Sequence, residues 1–200
     1  MDKLNLYNLI KAGYNPKDTA SLKTITDKGF IKDNELSNGN HQTYFNPITK
    51  KLVYNVVGTH NLSDIGTDVL LATGGLKISK RYIEDDQALK KSKLKYQIID
   101  GATITGHSLG SSIGGLIASN NDKVIGLDGG MVGQKLGKND QEYRSSGDIV
   151  SVFGSRNKQM KTLKQPKRSI FNKIGTTLNP IKGILQAHDV ENIKDNNIFV

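Results

Sequence analysis

The chain has no cysteine, which excludes a disulfide framework and thiolate zinc sites but leaves the compartment undetermined, because exported proteins can also lack cysteine. Tryptophan is absent too. No stretch approaches the ~20 consecutive apolar residues of a membrane span. The first residues, MDKLNLYNLIKAGYNP, mix acid and lysine without the apolar run of a signal peptide. The expectation is a soluble protein. A further lack is local: from Ile149 to His188 there is no acidic residue, while Arg156, Lys158, Lys161, Lys164, Lys167, Arg168, Lys173 and Lys182 supply positive charge. Without those eight, the basic residues of the chain nearly balance its 19 acidic ones, so the formal charge of +9 belongs to one segment.

What is present suffices for a core. Two hundred residues, 36% of them hydrophobic, make one globular domain that needs no metal or disulfide to hold it. Leu4, Leu6, Leu9 and Ile10 give a short helical face, and Asp18 or Thr19 can cap a second helix to about Lys28, so residues 1–40 read as a helical N-terminal extension. A hairpin follows. Thr43 to Phe45 and Lys51 to Val57 are strand-like runs either side of the turn-forming Asn46-Pro47-Ile48-Thr49, and His41 just before them reads as a surface histidine. After Gly58 a polar loop begins, and a basic amphipathic helix is predicted over 79–95, with Tyr82, Ile83, Leu89 and Leu94 facing inward. Parallel strands joined by such crossovers imply an α/β sheet. There are no repeats.

The most informative stretch is ATITGHSLGSSIGGLIAS, residues 102–119. Ala102 to Thr105 suit a central strand, and Ile113, Leu116 and Ile117 recur at helical spacing. Between them stands Gly106-His107-Ser108-Leu109-Gly110. In a chain with 21 glycines this G-x-S-x-G is weak by itself; a strand before it and a helix after it raise it to a nucleophile elbow. The turn lifts the Ser108 hydroxyl clear of the sheet, glycine is needed where side chains would meet the neighbouring elements, and the N–H of Leu109 at the helix start can face a developing oxyanion. The polar loop after Gly58 is where a second oxyanion donor would lie.

A nucleophilic serine needs a histidine to take its proton and a carboxylate to orient that histidine, and on this fold they follow in the order serine, acid, histidine. Only His188 lies beyond Ser108. For the acid, Asp128 and Asp148 each follow a predicted strand, where open α/β sheets gather site residues, and Asp148 is preferred. His107 points away from the nucleophile across the turn and can only support the site, and His60 lines the nearby loop. Neither has a second ligand at helical or strand spacing, so no metal is expected, and no organic cofactor either.

Over about Lys51 to Ile193 the chain resembles the class 3 lipases, α/β-hydrolases that include secreted fungal triacylglycerol lipases. The likeness rests on Thr105-Gly106-His107-Ser108-Leu109-Gly110, similar to the family's T-G-H-S-L-G, and on Val57-Gly58-Thr59 with Asp64 and Asp68, similar to its R-G-S/T oxyanion loop. It implies Ser108 as nucleophile, Asp148 as acid, His188 as base, Thr59 with the Leu109 N–H as oxyanion hole, and Asp68 as a support that orients the oxyanion loop. Three positions depart from the pattern: Val57 replaces an arginine, Ile65 a tryptophan and Ser111 a glycine. The chain is also shorter than the fungal lipases, with little room for a long lid, which keeps phospholipids and small acyl esters among the substrates.

The expected fold is therefore α/β-hydrolase-like, a mostly parallel central sheet with flanking helices in one domain over residues 1–200. The expected function is hydrolysis of lipid esters by a Ser-Asp-His triad through an acyl-enzyme. The alternative is a catalytically idle hydrolase-fold module with a structural or membrane-binding role. The acid-free segment suggests contact with anionic membrane surfaces; few aromatics and no recognised motif argue against nucleic acid.

Overall fold

The computed structural model describes residues 3–59, 80–130, 137–145, 160–163 and 198–200. In chain order the elements are helices α1 (Leu6–Tyr14) and α2 (Thr19–Asp27), strands β1 (Ile31–Asp33), β2 (His41–Asn46) and β3 (Lys51–Val56), helix α3 (Lys80–Lys95), strand β4 (Thr103–His107), helix α4 (Leu109–Ile117) and strands β5 (Lys123–Leu127), β6 (Gln141–Ser145) and β7 (Lys161–Leu163). The strands form one mixed sheet in sequence order. β1, β2 and β3 pair antiparallel; β3 through β7 pair parallel. Among the described residues no helix is long and apolar enough to cross a membrane.

Local sequence explains the elements. Asn5 and Asp18 cap α1 and α2 by accepting the N–H groups of Tyr7 and Ser21. The β2–β3 hairpin turns at Asn46, whose side chain accepts from the N–H groups of Ile48 and Thr49, and its register sets Asn46 opposite Lys51.

The alternation of β3 divides the core between the two faces of the sheet. Leu52, Tyr54 and Val56 join Ile104 and Val124 under Leu89 of α3 and Ile113 and Ile117 of α4. On the opposite face Val53 packs with Leu9 and Ala12 of α1 and Ile25 of α2, and Ile125 and Leu127 pack with Leu6 and Ile10. Each such fully buried aliphatic side chain contributes about 1.5–3 kcal/mol. Buried polar side chains tie α1 to this face: Gln42 donates to the carbonyl of Ala12, and Asn55 to that of Leu9. Ile198 and Val200 close the layer by pairing with Leu6 and Leu4.

Two expectations fail here. His41 is not a surface residue but is 5% exposed, because as the first residue of β2 it lies under α3. In α3 itself Leu89 is buried, yet Ile83 is 45% and Leu94 81% exposed. Tyr82 packs partly buried against the core as expected, beside Ala88, but the buried positions are Asp85, Leu89 and Ser92, at the i, i+4, i+7 spacing of one helix face, so two of the three are polar.

Candidate active site

The carboxyl ends of β3, β4 and β5 lie side by side, with Val56 opposite Gly106 and His107 opposite Leu127. Ser108 occupies the single position between β4 and α4. Its backbone is at φ 56°, ψ −127°, outside the regions a serine ordinarily adopts, and it is 4% exposed. The surroundings hold it there: its N–H donates to the carbonyl of Leu127 at 2.9 Å, and its own carbonyl accepts the first bond of α4 from Ser112 N–H at 3.2 Å. Gly106 and Gly110 make the turn possible. A β-carbon on Gly106 would lie 2.5 Å from the backbone of Gly110, and one on Gly110 would strike the carbonyl of Val56.

Leu109, the first residue of α4, presents its N–H at a helix N-terminus, where unpaired donors and the helix dipole favour negative charge. Thr59 lies half-buried three residues beyond β3. The residue before it, Gly58, is pressed against the elbow: a β-carbon there would fall 2.5 Å from the carbonyl oxygen of His107 and would collide with the Tyr14 hydroxyl. The loop of Thr59 is thereby packed against the residue that precedes Ser108. His107 is buried on the α1 side of the sheet, its Nδ1 2.8 Å from the hydroxyl of Tyr14.

Asp128, the other acid considered, is fully buried at the end of β5 with φ 52°. Its carboxylate accepts from both the N–H and the hydroxyl of Ser145, which fastens the end of β6 to β5. Asp148, His188, Asp68 and His60 lie outside the described residues, as does most of the acid-free segment. Of that segment, Lys161 on β7 sets its Nζ 5.6 Å from the centre of the Tyr143 ring.

Two buried clusters around this site escaped the reading of the sequence. In the first, Ser111, two residues into the first turn of α4, donates to both carboxylate oxygens of Glu142 on β6 at 2.9 and 3.0 Å, and Gly129 N–H donates to the same group at 3.0 Å. Burial pushes the Glu142 carboxyl up to about 7, against the lowering pull of those donors. The residue that departs from the third-glycine pattern is thus a ligand of a buried acid. In the second, Asp85 on α3 accepts from Arg81 Nε at 2.7 Å and faces His41 Nδ1 at 2.7 Å, while the Tyr54 hydroxyl donates to the Asp85 backbone carbonyl at 3.1 Å. The i, i+4 spacing of Arg81 and Asp85 was the one signal for it in the sequence.

No protein-family model matches the chain, and no curated protein matches its sequence. Comparison with solved structures does give neighbours. The native Rhizomucor miehei lipase propeptide complex superposes with a TM-score of 0.50 at 11% identity, over 72% of this chain and 60% of that one. The chain has a lipase-like fold. A deletion mutant of the same complex gives a TM-score of 0.50 at 12% identity, over 72% and 58% of the two chains. The Lip2 lipase from Yarrowia lipolytica gives 0.45 at 16% identity, over 72% of each. This chain therefore spans about 60% of the length of the Rhizomucor neighbour, and identity this low speaks for the fold alone.

Proposed function

We propose that the chain is a serine acyl-ester hydrolase of the class 3 lipase type, a single α/β-hydrolase domain acting on lipid esters. The observation that carries this reading is the backbone of Ser108: a serine at φ 56°, ψ −127° between a central parallel strand and a helix, enclosed by glycines that nothing larger can replace, stores strain that a mere connection would not require. In the proposed cycle His188, oriented by Asp148, takes the Ser108 proton as the oxygen attacks the ester carbonyl. The Leu109 N–H and Thr59 hold the negative charge of the tetrahedral intermediate, and Asp68 is assigned the orienting of the oxyanion loop. Its collapse breaks the bond to the alcohol, which leaves with the proton from His188; water then attacks the acyl-enzyme, with His188 again as base, and returns the acid and free Ser108.

The same reading assigns the basic segment after Asp148 to the anionic surface of a lipid aggregate, at about 1 kcal/mol for each lysine or arginine near it. The direct test of the nucleophile is labelling with a p-nitrophenyl alkylphosphonate followed by peptide mass spectrometry. Ser108 should carry the label and release of p-nitrophenol should vanish in Ser108→Ala; a label on any other serine, or one that survives that substitution, refutes the assignment.

A further inference from the structure

The guanidinium of Arg81 does more than pair with Asp85. Its Nη2 donates at 2.6 Å to two backbone carbonyls at once, those of Asn40 and Val57. These two residues form the last rung beyond the β2–β3 hairpin, since Val57 N–H itself donates to the Asn40 carbonyl at 2.8 Å. The Val57 carbonyl belongs to the peptide that enters Gly58, the residue packed against His107, and Thr59 comes next. Val57 is buried and apolar, so its own side chain cannot anchor the loop through hydrogen bonds.

The anchor is itself held rigidly. Arg81 Nε is fixed by one oxygen of Asp85, and the other oxygen of Asp85 faces His41, whose ring stacks on Tyr54 with centroids 5.3 Å apart. Asp85 is wholly buried and the Arg81 side chain is 20% exposed. An ion pair so placed is a poor source of stability, because desolvation offsets the attraction and apolar residues of similar volume often do as well. What it supplies that apolar residues cannot is direction: a planar fork that fixes the carboxylate on one side and two carbonyls on the other.

We infer that Arg81 is a positioning residue for the oxyanion loop, setting the plane of the Val57–Gly58 peptide and through it the donor of Thr59. This rests on the hydrolase reading of the site. Oxyanion stabilisation falls steeply when a donor is misplaced, whereas ground-state binding of an ester does not depend on that donor.

The experiment is a double-mutant cycle between Arg81→Met and Thr59→Ala, read as kcat and KM on a short p-nitrophenyl ester, with amide hydrogen exchange on the single variant. Arg81→Met should lower kcat by ~30-fold or more with KM changed less than ~3-fold, and in the Thr59→Ala background it should cost less than ~3-fold, because it acts through Thr59. Exchange of the Val57 amide should quicken by ~10-fold or more while those of Ile104 and Val124 stay protected. Equal losses in both backgrounds, or an unchanged Val57 amide, overturn the inference. If Arg81→Met does not fold, Arg81→Lys keeps the charge but not the fork, and it should show a ~5-fold loss that again disappears in Thr59→Ala; full activity overturns the inference. Should the wild type neither hydrolyse the ester nor take the phosphonate, the hydrolase reading fails, and the Val57 amide alone then decides whether Arg81 holds the loop.

Discussion

Helix α4 carries no charged residue between Leu109 and Ile117, whereas α3, which covers the same face of the sheet, turns Arg81, Asp85 and Ser92 toward it. The two helices border the same site, one from the elbow and one from the loop beyond β3, and they fix it by different means. Around the elbow the means is exclusion: Gly106, Gly110 and the carbonyl of Val56 leave space for one backbone path only. Around the loop the means is directed attraction, a buried carboxylate aligning a guanidinium that grips two carbonyls. Sterics can set where a chain passes; orienting a peptide dipole takes a hydrogen-bond donor, and a charged one holds it about twice as strongly as a neutral one.

The largest effect expected from this contrast is at Gly110. Gly110→Ala would drive a methyl group into the backbone of Val56 and Val57, and Val56 cannot yield without breaking its pairing with Gly106, so a loss beyond ~5 kcal/mol is expected. Thermal unfolding of purified protein would show it as absence of a folded baseline; a melting temperature near that of the wild type would mean the elbow is not sterically closed.

Next in size is Asp85→Asn. It removes the buried carboxylate that the Arg81 guanidinium pairs with and should cost roughly 4 kcal/mol, measured by urea unfolding. A loss under ~1 kcal/mol would show the polar stripe of α3 to be as loosely held as a surface pair.

The smallest effect sharpens the contrast, because one acid does lie under α4. Glu142 loses its proton near its ordinary 4.5 when unfolded and near 7 when folded. Between those values the unfolded chain ionises first, so stability falls as pH rises, by up to about 1.4 kcal/mol per pH unit, and levels off above 7. Glu142→Gln should remove that slope, roughly 3 kcal/mol in total, from unfolding free energies measured between pH 4.5 and 8. A slope retained in the variant would assign the pH dependence to other groups.

How much of this was legible in the sequence follows the same division. The hairpin over 41–56, the cap at Asp18 and the strand-turn-helix around Ser108 are written in neighbouring residues, because turn geometry, capping and hydrophobic period act within a few positions of the chain. The elbow was legible for the further reason that steric exclusion leaves a mark in composition: glycine must stand where a β-carbon cannot. The network of α3 left almost none. His41 and Asp85 are 44 residues apart, and Ser111 and Glu142 are 31 apart. An amphipathic reading of 79–95 sends Ile83 and Leu94 inward because it weighs hydrophobicity and cannot see that β2 offers a histidine and a threonine to the same face. Local patterns determined which segments are strands and helices and that a serine stands at the turn. Only the tertiary structure decided which polar side chains are buried together, since a buried charge is tolerable only where the fold delivers its partner, and that partner comes from elsewhere in the chain.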